Sequence, residues 1–349
     1  MIKKQRLEIQ NYEKIAVTPR FCYFKPKVEK KSNIAQETSF SLSQKNKFIH
    51  SKFFYDMNGS NLFENICELP EYYLTRSEFE ILDLMKVELP KYLMGRFALV
   101  ELGSGSSIKT RKLLEILNTR QKNVEYYPVD ISDILKESSI NLHDEYENLK
   151  ITGIIDQYET GLEFIQKLDH IQKLIAFLGS SMGNFDTDDG IEFLKKIRHS
   201  MGRDDMLLLG LDLIKDAKIL ESAYNDSQGV TADFNLNMLN RLNRELNANF
   251  DLDKFEHVAV FNKKHKRIEM YLKSLEKQQV FVSSIDLFLK LRKGELIHTE
   301  NSHKYTIPQI KKMAKKTGFK PIQIWTDKKN YFTMALLSVD DNEKEMRTF

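Results

Sequence analysis

From Ser77 to Leu213 short apolar runs alternate with amphipathic stretches, and few folds survive that constraint. SEFEILDLMKVELPKYL (77–93) has helical spacing, FALVEL (97–102) reads as a buried strand, SIKTRKLLEILNTR as a helix and VEYYPVDIS as a strand. ILKESSINLHDEY, NLKITGII, GLEFIQKL, KLIAFLGS, DGIEFLKKIRHSM and DMLLLGLDL continue the alternation of helix and strand. Such an order predicts an α/β fold, a parallel sheet with helices on both faces. The rhythm breaks at about residue 215. ESAYNDSQGVTADFNLNMLNRLNRELN is largely helical, HVAVFNKKHKRIEMYLKSLEKQQVFV reads as antiparallel strands, IPQIKKMAKKTG as a helix and KPIQIWTDKKNYFTMALLSV as a hairpin. The simplest organisation is a first domain of residues 78–214 and 304–349 and a second of 46–77 and 215–303. Residues 1–45, polar and lysine-rich, are expected to drape over the rest as an extension.

ELGSGSS (101–107) closes the first strand of the series and opens a helix, where α/β sheets bind ligands. Gly103 and Gly105 let the backbone approach a ligand closely. A dinucleotide fingerprint needs a third glycine where Ile108 stands, and a P-loop needs a glycine before Lys109-Thr110, so both phosphate readings weaken. S-adenosylmethionine has no phosphate, but a ribose diol and a charged amino acid tail. Asp130, closing YYPVD, is placed to accept from both ribose hydroxyls, and Asp156, closing ITGIID, to meet the adenine edge. The expected fold is therefore a Rossmann-like class I methyltransferase sheet, with a second domain that binds the substrate.

A formal net charge of +3 over 349 residues gives no case for a nucleic-acid partner. Two cysteines, Cys22 and Cys67, exclude a disulfide framework and suit a reducing compartment. No apolar run has membrane-spanning length and no leader pattern opens the chain, so a cytoplasmic monomer acting on a small molecule, with no membrane partner, is expected. His298 and Glu300 would share one face of a strand, but no third ligand has supporting spacing, and no metal site is expected.

FYDMNGSNLFE, LPEYYLTR, ELGSGSSIKTRKLL, YYPVDIS, FLGSSMGNF, AYNDSQGVTADFNLNMLNRLNRELN, RIEMYLKS and IHTENSHKY follow in order between about Phe54 and Leu336. Together these blocks resemble the L-histidine Nα-methyltransferases of ergothioneine biosynthesis. The resemblance implies S-adenosylmethionine contacts from Gly103, Lys109, Asp130 and Asp156. It assigns the amino acid's amine and carboxylate to Tyr72, Asn184 and Tyr224, with the Gly179–Ser181 turn alongside. Tyr55 and Phe63 would line the pocket, and Glu300 and Ser302 would address the imidazole with Met270 nearby. Ser181 stands where threonine is expected and keeps the hydroxyl; Asn301 replaces a residue that is usually apolar or small.

Methyl transfer from a sulfonium to an amine spreads an existing charge, so catalysis must come from alignment and a free lone pair on the amine. Asn184 is an amide acceptor for that amine, and Tyr72 a hydroxyl that relays protons; these two are the catalytic candidates. Taken singly, Tyr72 and Met270 read as core, Asn184 as a helix N-cap and Glu300 as a surface acid; only their joint match favours function. The expected reaction is trimethylation of the histidine α-amine to hercynine. Tryptophan or a prenylated tryptophan remains open as the acceptor, since an indole also offers a ring N–H, and so does a cofactor-binding module without catalysis.

Overall fold

The computed structural model describes residues 11–27, 34–132 and 134–340. In chain order, β1 (Tyr12–Ala16) and β2 (Phe21–Pro26) precede α1 (Ile34–Leu42), α2 (Met57–Glu68) and α3 (Tyr73–Glu88). The alternating stretch gives β3 (Phe97–Leu102), α4 (Ile108–Asn118), β4 (Val124–Asp130), α5 (Ile134–Glu145), β5 (Leu149–Ile155), α6 (Tyr158–Gln166), β6 (Gln172–Phe177), α7 (Thr187–Ser200) and β7 (Met206–Asp212). There follow α8 (Ala217–Ser222), α9 (Val230–Leu246), β8 (Phe255–Asn262), β9 (Arg267–Ser274), β10 (Gln278–Val282), β11 (Leu287–Leu291), β12 (Leu296–His303), α10 (Ile307–Lys316), β13 (Phe319–Thr326) and β14 (Phe332–Val339).

Five parallel strands lie in the order β5-β4-β3-β6-β7, and β14 and then β13 continue the sheet antiparallel to their neighbours. This is the Rossmann-like class I arrangement. All six residues of β3 are buried, as an apolar strand covered on both faces requires. Leu99, Tyr126 and Ile151 pack on one face with α3 and α4, while Val100, Val129 and Ile154 pack on the other with α6 and α7. Strand order reverses between β3 and β6, which opens a crevice at their carboxyl ends.

Two expectations need correcting. Residues 12–26 do not merely drape: β2 pairs parallel with β5 and β1 antiparallel with β2, making the sheet nine-stranded. Phe21 and Phe24 are buried there, and Phe24 meets Phe164 at 5.1 Å between ring centroids. Polar and lysine-rich flanks hid a strand whose apolar run, Phe21–Phe24, is only four residues long. Residues 1–10 and 28–33 of that extension lie outside the described residues. After α9, β8 and β9 pair antiparallel as expected, but β10 leaves them to pair with β11, and β12 takes the free edge of β9.

Asp56 joins the helices over the crevice. It caps α2 by accepting from Gly59 N at 2.7 Å, and takes Asn237 Nδ2 at 2.9 Å and Arg244 Nη2 at 2.6 Å from α9. A Cβ on Gly59 would stand 1.8 Å from the Phe54 carbonyl oxygen. Gly59→Ala is therefore expected to lower unfolding free energy by about 2 kcal/mol or more, read from the denaturant midpoint, because rigid backbone must move.

Candidate active site

At the crevice a cavity of about 430 Å³ opens, within the usual range for small-molecule sites. One end is built by the turns after β3, β4, β5 and β6. Gly103 has φ +76°, and a Cβ there would lie 2.8 Å from the Tyr158 hydroxyl. Asp130 is held by backbone donors: Gly105 N reaches Oδ2 at 3.0 Å and Ser132 N reaches Oδ1 at 2.8 Å. Burial raises its pKa while these N–H groups work to lower it. Glu101 is pushed up to about 7 by burial, against donation from Thr110 at 2.5 Å and Tyr126 at 2.7 Å.

This end suits a diol and a cation better than a phosphate, which Asp130 and Glu101 would repel. The Ser104 hydroxyl is buried without a partner, so a polar group of a ligand fits there. Lys109 Nζ lies 2.7 Å from Glu78 Oε2, and Glu78 Oε1 accepts from Gly179 N at 2.8 Å, tying together α3, α4 and the turn after β6. Burial opposes the Lys109 charge, yet Glu78 holds its pKa above the ordinary lysine value.

Asp156 is not brought to the cavity. Its carboxylate takes the Tyr12 hydroxyl of β1 and its own neighbour's N–H, Gln157 N at 2.7 Å. Gln157, Tyr158 and Glu159 line the wall in its place. The remaining sequence candidates all line it: Tyr55, Phe63, Tyr72, Gly103, Gly105, Lys109, Asp130, Gly179, Ser181, Asn184, Tyr224, Met270, Glu300 and Ser302.

The other end is aromatic and polar by turns. Tyr55 and Phe63 meet edge-on at 5.7 Å, Phe63 and Tyr72 at 6.3 Å, and Tyr72 and Tyr224 at 6.2 Å. Neither the Tyr72 hydroxyl nor the Asn184 amide hydrogen-bonds to any described residue, so both polar tips are free for a ligand. Asn184 ends the short turn Ser181–Asn184, and it is Asp186 that stands at the N-cap of α7.

Glu300 reaches the cavity through a β-bulge. His298 stands opposite Tyr271, but two residues on, Glu300 stands opposite Met270, only one residue further along β9. The extra residue turns Glu300 from the His298 face to the Met270 face, and Ser302 follows it. His298 instead packs edge-on against Tyr271 at 5.3 Å and meets Asn301 Oδ1 at 2.9 Å, so the expected shared face with Glu300 does not form. Glu300 is 8% exposed and takes no hydrogen bond from a described residue. Burial pushes its pKa up to about 7, with Lys304 pulling the other way.

Behind Ser302 lies a cluster that the sequence reasoning missed. Lys304 Nζ is 2.8 Å from Ser302 Oγ, 3.1 Å from the Tyr224 hydroxyl and 2.7 Å from Asp212 Oδ2. Asp212 also meets Lys215 Nζ at 2.5 Å and the Tyr73 hydroxyl at 2.7 Å. As an acid ending an apolar strand, Asp212 carries the same signal that picked out Asp130. Phe234 and Tyr158 were missed as well; no local pattern marks them.

A family model described as "Histidine-specific methyltransferase, SAM-dependent" matches residues 34–339. The histidine N-alpha-methyltransferase of Mycolicibacterium smegmatis is 39% identical over 292 residues, covering 83% of this chain and 90% of that one. That of Mycobacterium tuberculosis is 39% identical over 291 residues with the same coverage of both, 83% and 90%. Ergothioneine biosynthesis protein 1 of Neurospora crassa is 30% identical over 277 residues, 78% of this chain and 31% of its own length. The chain thus belongs to the family of histidine-specific, S-adenosylmethionine-dependent methyltransferases.

Proposed function

We propose that the chain methylates the α-amine of L-histidine, three times, to give hercynine. Glu300 carries the reading: an acid buried on a cavity wall without a protein partner needs a ligand donor, and an imidazole N–H is one. Bound in the glycine-turn end, S-adenosylmethionine supplies an electrophilic methyl group. Asp130 would hold the ribose, Lys109 and the Ser104 hydroxyl the polar tail. Tyr72 would donate to the carboxylate, while the Asn184 amide oxygen and the remaining lone pair of the Tyr224 oxygen would accept from the amine. The Asn184 amide oxygen accepts from the amine without offering full charge, which orients the lone pair as protons leave. Aromatic faces of Tyr55, Phe63 and Tyr72 favour the cation that grows with each transfer. In this reading the enzyme works as a cytoplasmic monomer; one chain supplies the whole described wall, and Cys22 and Cys67 are free thiols.

Mass spectrometry of the purified protein with S-adenosylmethionine and histidine, tryptophan, phenylalanine or tyrosine tests this. Histidine alone should gain three methyl masses. Turnover of tryptophan alone would assign the ring pocket to an indole, and binding of S-adenosylmethionine without turnover of any would leave a binding module. Glu300→Ala should cut kcat/KM for histidine by about two orders of magnitude, through loss of a charged hydrogen bond.

Stability should respond in the opposite sense. Because the folded pKa of Glu300 is raised, to about 7, its contribution is fully present below the unfolded value near 4.5 and is lost as pH climbs through 7. Glu300→Gln in the ligand-free protein should then gain on the order of 2–3 kcal/mol at pH 8 relative to pH 4, measured by denaturant unfolding at both pH values.

A further inference from the structure

Lys304 contacts the hydroxyls that face the cavity without lining it itself. Its ammonium has three donors, and three acceptors surround it: Asp212 Oδ2 at 2.7 Å, Ser302 Oγ at 2.8 Å and the Tyr224 oxygen at 3.1 Å. Side-chain exposure of both Lys304 and Asp212 is 0%, so no water competes for these bonds. Burial opposes the Lys304 charge, but Asp212 holds its pKa above the ordinary lysine value. The cation is permanent at working pH.

That cation decides which way two protons point. The Tyr224 and Ser302 oxygens, each accepting from Lys304, are 2.8 Å apart and share one hydrogen bond. Two hydroxyl protons are present, and one is spent between them. Either hydroxyl could supply the shared proton; we assign it to the phenol, the stronger acid, and Ser302 then accepts from both Tyr224 and Lys304, so both its lone pairs are taken. Ser302 can address the cavity only with its O–H. Two residues away on the same wall, Glu300 offers an acceptor.

We propose that Lys304 is a positioning residue that fixes Ser302 as a donor, so that the wall pairs an acceptor with a donor and selects a ring bearing one N–H and one bare nitrogen. A neutral imidazole has both; an indole or pyrrole has the N–H alone. The proposal rests on the histidine reading above and adds what enforces it. Lys304 acts through Ser302 and touches no substrate atom.

The test compares histidine with β-(pyrrol-2-yl)alanine, in which the bare ring nitrogen is replaced by C–H. Wild-type enzyme should favour histidine in kcat/KM by at least tenfold, since the Ser302 proton is left unpaired against the pyrrole. In Lys304→Met the hydroxyls are free to turn, and this preference should shrink at least tenfold, with the Kd for S-adenosylmethionine changed less than twofold. Ser302→Ala should shrink it to the same extent, and combining the two should add nothing further. If Lys304→Met fails to fold, Lys304→Met/Asp212→Asn removes the stranded carboxylate and is read in the same way. Equal losses on both substrates, with the preference intact, would overturn the proposal and reduce Lys304 to a counter-ion of Asp212. A wild-type enzyme inert towards histidine would instead overturn the substrate reading, and this proposal with it.

Discussion

The aromatic and polar end of the cavity depends on one buried carboxylate. Asp212 ends β7, and its backbone is fixed on both sides: its N–H donates to Ser180 Oγ at 3.0 Å and its carbonyl accepts from Tyr305 N at 2.9 Å. Its side chain gathers Lys304, Lys215 and Tyr73, so one charge joins the central sheet, α3 and the segment leaving β12. Burial works against the Asp212 charge, and the two lysines overcome it and hold its pKa below the ordinary value. Breaking such a pair by removing one partner costs far more than the pair itself contributes, because the remaining charge stays stranded. The arrangement is a device for geometry more than for stability: it sets where β12 leaves the sheet, and hence where Glu300 and Ser302 stand.

At the opposite end the logic is reversed. Asp130 is placed by backbone N–H groups, with no salt bridge to it among the described residues, so its oxygens stay available to a ligand's hydroxyls. Lys109 has a dedicated partner in Glu78, which also takes Gly179 N. The two ends of the cavity thus share one wall, the turn after β6, whose Gly179 donates to Glu78 and whose Asn184 lines the aromatic end. Methyl transfer by alignment needs two pockets held at a fixed separation, and a shared rigid wall provides it.

Much of this was readable from local pattern. Alternating apolar runs specified the parallel sheet because periodicity is set by the faces a strand or helix buries. That ELGSGSS and Asp130 would meet at the crevice was readable because strand ends in such sheets converge there. What was missed depends on partners distant in sequence. Asp156 looks like Asp130 in its own segment, but Tyr12 of β1, 144 residues earlier, takes its carboxylate. Lys304 reads as one more surface lysine until Asp212 and Tyr224 arrive around it from other elements. The strands at 12–26 escaped notice because β1 is a half-exposed edge strand, and the short apolar run Phe21–Phe24 of β2 is set among lysines, with only Phe21 and Phe24 fully buried.

The bulge between His298 and Glu300 makes the orientation of this buried acid a matter of counting. Side chains along a strand alternate, so whether Glu300 looks inward depends on whether the residues before it are odd or even in number. A chain that lost or gained a single residue here would turn Glu300 and Ser302 away together and present their neighbours to the cavity, with the walls from other elements unchanged. The chemistry of this wall can therefore change by insertion or deletion ahead of Glu300 without any substitution in the other elements around the cavity.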